Sequence, residues 1–378
     1  MTIAIMAESR PGERRVALVP EAARFYAKRG LGLRLEAGAG VGASFPDGEY
    51  EEAGVAVVPG RDALLAEAGM VLKVQPPTLE EVAALAPGSV LVCHLDPLGP
   101  TEVMEALAKR GVTAFAVELI PRITRAQKMD VLSSQATVAG YKAVLSGAGA
   151  MTRFLPMLTT AAGTVRPAKA MILGAGVAGL QAIATARRLG AVVSAFDIRP
   201  AVKEQVQSLG ATFLEATLDE SAEDEGGYAT ELSEEQHERE LELIATHIRD
   251  QDLVVTTAQI PGRPAPVLIT AEMVGTMRPG SVVVDLASES GGNCELTVAG
   301  RSVDHNGVTV MGPANLPAEL PYHASQMYAR NLASFVEDLF DDEGAIDFED
   351  EITSATCVTH GGEITNERVR ARLASATE

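Results

Sequence analysis

Three glycines in MILGAGVAGL, Gly174, Gly176 and Gly179, stand at GxGxxG spacing between an apolar run and an amphipathic one. A strand entering such a turn and a helix leaving it can cradle a pyrophosphate. Gly174 permits the tight turn, Gly176 lets the backbone approach the anion, and Gly179 lets helix and strand pack closely. Ala175 and Val177 belong to the same turn. The helix start then offers free N–H groups and a partial positive charge. An acid is expected at the end of the next strand, about 20 residues on. AVVSAFD ends in Asp197, 197 − 179 = 18 residues after the last glycine. A carboxylate there accepts hydrogen bonds from ribose hydroxyls and repels a 2′-phosphate, which favours NAD over NADP. Arg199, just past Ile198, pulls the other way, because arginines in this loop can pair with a 2′-phosphate.

A second stretch, PRITRAQKMDVLSSQ (121–135), crowds Arg122, Arg125, Gln127, Lys128 and Asp130 together, then gives Ser133, Ser134 and Gln135. Such donors, an amide and a carboxylate can hold a polar ligand, or can serve only as capping and hinge residues. Elsewhere the titratable candidates are few. His94 in VCHLDP and Lys73 in VLKVQPP fall at the C-terminal ends of expected strands, where α/β sites gather. Arg15 follows the first strand. Two have a plainer reading, His94 as an incidental strand-end histidine and Lys73 as a solvated strand end. The sequence has no metal-ligand spacing and no GxSxG elbow.

The elements that must position these residues alternate. TIAIMAE, LGLRLEAG, MVLKVQ, SVLVCHL and VTAFAVEL read as strands; PEAARFYAKRG, RDALLAEAG, TLEEVAALAPG and TEVMEALAKRG read as helices between them. That pattern predicts a parallel sheet covered by helices. Thr78 is the expected N-cap of TLEEVAALAPG, with Glu81 completing a capping box. A helix from about Met129 to Leu145 leads into a second alternation: AKAMILGAG, AVVSAFD, DLVVTTA, SVVVDLA and GVTVMG as strands, with a long helix EEQHERELELIATHIRD. A last helix, about His323 to Leu339, is expected to run back to the first domain with the C-terminal tail. The fold expected is α/β: two Rossmann-like βα domains with parallel sheets, linked by long helices, with a cofactor in the cleft between them. The domains expected are 1–130 plus 325–378, and 131–324.

Composition bounds the function. The 378 residues are 47% hydrophobic and 22% charged, which places the chain among globular proteins. Aromatics are 4% and Trp is absent, so aliphatic residues must build the core. A formal net charge of −20 disfavours nucleic-acid and direct membrane binding. Cys93, Cys294 and Cys357 have no CxxC spacing and read as idle free thiols of a reducing compartment. No apolar run approaches a membrane span, and the N-terminus lacks a signal-peptide layout. A soluble chain facing the cytoplasm is expected.

The chain resembles the NAD(H)-binding component of proton-translocating nicotinamide nucleotide transhydrogenase and, more remotely, alanine dehydrogenase. The marks are ESRPGERRVALVP with EAGAG, PRITRAQKMDVLSSQATVAGYKAV, the long run PAKAMILGAG to VQSLGA, GGYATELS, VVTTAQIPGRPAPVLIT and GSVVVDLASESGGNCELT. The resemblance implies that Arg122, Gln127, Asp130 and Ser133 surround the nicotinamide end of NAD(H), with Gln127 reaching towards a second nucleotide. NADP(H) would be bound by a partner subunit or domain, and Thr257, Ala258 and Gln259 would join the nucleotide contacts. It also implies a homodimer, held at the inner membrane through a membrane subunit, in which hydride transfer is coupled to proton movement. Direct transfer between two nicotinamide rings moves no proton at that site, which suits the lack of an acid–base pair.

The acidic stretch 215–236 reads either as a solvated insertion or as a lid, with Gly226 and Gly227 as hinges and Tyr228 closing over the nucleotide. Alanine dehydrogenases use a catalytic histidine at the position of His94, and Arg15 and Lys73 match residues that bind their amino or keto acid. Their catalytic aspartate is unmatched; Glu289 occupies its neighbourhood. Arg15, Lys73 and His94 are therefore expected to be inherited and idle. The rival readings are a self-sufficient alanine dehydrogenase and a non-catalytic NAD-sensing module.

Overall fold

The computed structural model describes residues 1–215, 233–260, 262–341 and 343–376. The chain forms two compact units, Met1–Gln135 with Pro317–Glu378, and Ala136–Leu316.

The first unit carries an eight-stranded sheet. Its order is Ala56–Val58, Gly32–Glu36, Thr2–Ile5, Met70–Leu72, Val90–Cys93, Thr113–Ala116, Cys357–His360, Glu363–Ile364. The first six strands are parallel, and the two C-terminal ones add antiparallel. Met70–Leu72, Val90–Cys93 and Thr113–Ala116 are buried at every residue, as strands covered on both faces must be. Thr78 caps Leu79–Ala84 with the full capping box to Glu81. The Pro321–Asp338 helix packs Tyr328, Leu332, Phe335 and Val336 into the core. Most of the few aromatic rings gather here: Tyr26, Tyr50, Phe115, Tyr328 and Phe335 are all buried.

The second unit has a seven-stranded sheet ordered Thr212–Phe213, Val192–Phe196, Lys169–Leu173, Leu253–Thr256, Val282–Asp285, Val308–Gly312, Arg301–His305. The alternation of strands and helices predicts parallel pairing throughout, but the Arg301–His305 edge runs antiparallel. This added strand pairs through a turn at Asn306 and Gly307, both at positive φ, the geometry of a two-residue hairpin. The linking helix also exceeds its expected end at Leu145 and runs Val131–Ala150. Gly147 does not break it, because the missing side chain is what permits close approach. A Cβ there would stand 2.5 Å from a Leu253 methyl and 3.0 Å from one of Val284.

In both sheets strand order reverses at one place. It lies between Thr2–Ile5 and Met70–Leu72 in the first unit, and between Lys169–Leu173 and Leu253–Thr256 in the second. Such switch points open a crevice outside the carboxyl ends of the strands, the usual ligand site of open α/β sheets.

Candidate functional site

In the second unit the switch point is lined by backbone. Lys169–Leu173 ends at Gly174, whose φ of +93° suits glycine. A Cβ on Gly174 would stand 2.5 Å from the Thr257 hydroxyl, and one on Gly179 would stand 1.9 Å from the Gly174 carbonyl oxygen. Both glycines are therefore required by packing. Gly176 differs: a Cβ there would find its nearest heavy atom, an Arg199 guanidinium nitrogen, at 3.9 Å. Open space faces the backbone at Gly176. Gly176 is also the N-cap of Val177–Arg188, and no side chain caps that helix start. Val177 is exposed beside it.

Asp197 follows Val192–Phe196 and is 9% exposed. It accepts hydrogen bonds from the N–H of Ala175 at 2.6 Å and the N–H of Arg199 at 2.9 Å. The Arg199 side chain adds two more, at 2.9 and 2.8 Å. Arg199 thus occupies both oxygens of the Asp197 carboxylate. Ile198 is half-buried between them. Across the crevice Thr257 donates to the carbonyls of Leu173 and Gly174. Asn293 brackets Ala258 from both sides, accepting from its N–H at 3.0 Å and donating to its carbonyl at 2.9 Å. Gln259 donates to the Leu286 carbonyl. Buried Asp285 holds the Asn293 loop by accepting from Thr256, Thr297 and the N–H groups of Ala287, Asn293 and Cys294. Glu289, in that loop, is exposed. Tyr228, Gly226 and Gly227 lie outside the described residues.

The first unit holds the 121–135 segment. Thr124–Met129 is a 3-10 helix, and only Asp130 separates it from Val131–Ala150. Asp130 accepts from the N–H and the hydroxyl of Ser133, at 2.8 and 2.6 Å, as an N-cap does. Arg122 and Gln127 are exposed. Gln135 is buried, accepts from Arg15 at 2.8 Å and donates to the Ala324 carbonyl.

The switch point of this unit is filled by charge. Lys73 is no solvated strand end: it is 1% exposed, and its Nζ stands 3.4 Å from Glu8 and 3.4 Å from Glu81. Burial pushes the Glu8 carboxyl up, more than Lys73 and the Val74 and Gln75 amides pull it down. Burial also acts on Glu81, but Lys73, the Thr78 amide and Arg61 outweigh it and hold that carboxyl low. Arg15 pairs with Glu13 at 2.6 Å. His94 Nδ1 is 3.6 Å from Glu118, an ion-pair spacing too long for a hydrogen bond. Sequence reasoning misses these carboxylates, although a signal exists. A lysine directly after an apolar run that reads as a buried strand needs a buried partner of opposite charge.

The three cysteines are free and buried, and burial pushes the Cys294 thiol to about 11. Among the described residues there is no group of His, Cys, Asp or Glu fit for a metal, and no helix long and apolar enough to cross a membrane.

Residues 4–139 match the N-terminal domain and residues 143–367 the C-terminal domain of the alanine dehydrogenase/PNT family. The chain belongs to that family. Within the alanine dehydrogenase/PNT family, it is 48% identical over 376 residues to an NAD(P) transhydrogenase subunit alpha polypeptide of Rhodospirillum rubrum, covering 96% of this chain and 97% of that one. The crystal structure of the transhydrogenase from Sinorhizobium meliloti is 49% identical, superimposes with a TM-score of 0.88, and covers 96% of this chain and 100% of that chain. The alanine dehydrogenase of Halomonas elongata stands further off, 31% identical over 348 residues, covering 90% and 88%.

Proposed function

We propose that this chain is the NAD(H)-binding subunit of a proton-translocating transhydrogenase. It exchanges hydride with NADP(H) held by a partner subunit or domain. The observation that carries the proposal is the open backbone at Gly176, at the uncapped start of a helix and beside Asp197. These residues fit a dinucleotide. The helix start and Gly176 would hold the pyrophosphate, and Asp197 would take the ribose hydroxyls once Arg199 yields its place. NAD(H), when bound, supplies the carbon that gives or takes the hydride. Arg122 and Ser133 would bond the carboxamide, and Asp130 would keep Ser133 aimed through the bonds it already makes. Gln127 would face the second nucleotide. The chain's work is to orient and to exclude water, which is how such a transfer is accelerated. A homodimer, docked on the cytoplasmic side through a membrane subunit, completes the reading.

One observation favours a second reading, alanine dehydrogenase. Lys73 Nζ is buried without a hydrogen-bond partner, and so is one oxygen of Glu118 beside His94. Both readings meet one experiment. The protein is mixed with an NADP(H)-binding transhydrogenase domain, and transfer from NADPH to acetylpyridine adenine dinucleotide is followed. The protein alone receives NADH, pyruvate and ammonia. Turnover only with the partner is expected. Turnover only with pyruvate and ammonia would replace the first reading by the second. NADH binding without either would leave a sensing module.

A further inference from the structure

The Thr124–Met129 helix is a weak element by itself. It is a six-residue 3-10 run, twice the comfortable length, with poorer hydrogen bonds than an α-helix. It closes on Asp130 with a long bond, 3.4 Å from the Asp130 N–H to the Gln127 carbonyl. Its burial is confined to Ala126 and Met129. Something else must fix its rotation.

The side chains around it show what does. Arg125 bonds Asp338, at the end of Pro321–Asp338, at 2.7 Å, and bonds Asp350 with its other terminal nitrogen. Asp350 is in turn the N-cap of Glu351–Thr356, accepting from Ile352 and Thr353. Partial burial raises the Asp350 carboxyl, but the bonds from Arg125 and those two amides outweigh it and hold it low. Asn331 adds a bond to the Lys128 carbonyl at 2.9 Å. A 3-10 helix advances 120° per residue, so fixing Arg125 fixes the direction of Gln127, two residues on.

We propose that Arg125 is a positioning residue for hydride transfer. By gripping Asp338 and Asp350 it sets the rotation of the segment that carries Gln127 and leads into Asp130 and Ser133. It touches neither nucleotide. The proposal rests on the transhydrogenase reading above. Exposed ion pairs contribute little to global stability, so removing this one leaves the fold intact and loosens the segment alone.

The test uses the full chain with Arg125→Ala, Arg125→Lys and Asp350→Asn. The last keeps an N-cap but loses the charge pair. In R125A, amide exchange across residues 124–133 is expected to rise, and kcat with the NADP(H)-binding domain to fall at least about tenfold. The Kd for NADH is expected within about threefold of wild type and Tm within about 4 °C, the mark of a surface pair. R125K recovers part of kcat, and D350N loses part. A purely structural role would lower Tm and affinity together. Wild-type turnover with unchanged exchange or kcat in R125A overturns the proposal while leaving the functional reading in place. Absence of wild-type turnover overturns both.

Discussion

The two units solve the same topological problem in opposite ways. Each sheet reverses strand order once and so opens a crevice at its strand ends. In the second unit the crevice is lined by glycine backbone and the open space at Gly176. In the first, Lys73, Glu8 and Glu81 fill it with their own charges. The difference teaches that a switch point makes room, and that side-chain chemistry decides who occupies the room. Glycine backbone leaves it open, whereas a buried lysine must be answered from within the chain.

Four substitutions break or sharpen that contrast. The largest effect is expected from Gly179→Ala, whose Cβ would sit 1.9 Å from the Gly174 carbonyl oxygen. Unfolding in denaturant should show a loss above about 4 kcal/mol, with NADH binding lost as well.

Lys73→Met comes next, at about 3–5 kcal/mol, because it removes the buried cation that faces two buried carboxylates and leaves Glu8 without a cation beside it. The sign of its pH dependence follows from Glu8, whose folded pKa already lies above its ordinary value. Removing Lys73 raises it further. The deficit is therefore present at neutral pH and shrinks as pH falls towards the unfolded carboxyl value of about 4.3. Chemical denaturation at pH 5 and pH 7.5 compares the two; an equal deficit at both would refute the account.

Gly176→Ala separates binding from packing. Its φ of −72° is ordinary for alanine and the added Cβ is clear of neighbours. Stability should stay within about 0.5 kcal/mol. NADH affinity by calorimetry should fall about tenfold or more, or about 1.4 kcal/mol. Unchanged affinity would remove Gly176 from the pyrophosphate site.

The smallest effect is expected from Thr78→Ala, about 1 kcal/mol by thermal melting. It deletes the cap but leaves Glu81 its bond from Arg61 and its ion pair with Lys73. A much larger loss would mean that the capping box also orients Glu81 for Lys73.

What the sequence by itself determined lies within a few residues along the chain. The glycine turn, the acid 18 residues beyond it, the buried strands and the Thr78–Glu81 box each rest on short-range geometry that a local pattern encodes. The hairpin at Arg301–His305 belongs with them in kind, since Asn306–Gly307 is a local turn signal, although strand alternation alone does not reveal it. The tertiary structure alone decided the rest. Arg125 meets partners 213 and 225 residues away, Glu8 meets Val74 across 66, and Arg15 meets Gln135 across 120. No period or spacing announces such pairs, since they form where packed elements converge. Burial then turns ordinary charged residues into a closed network, whereas the same residues in a loop would stay in water.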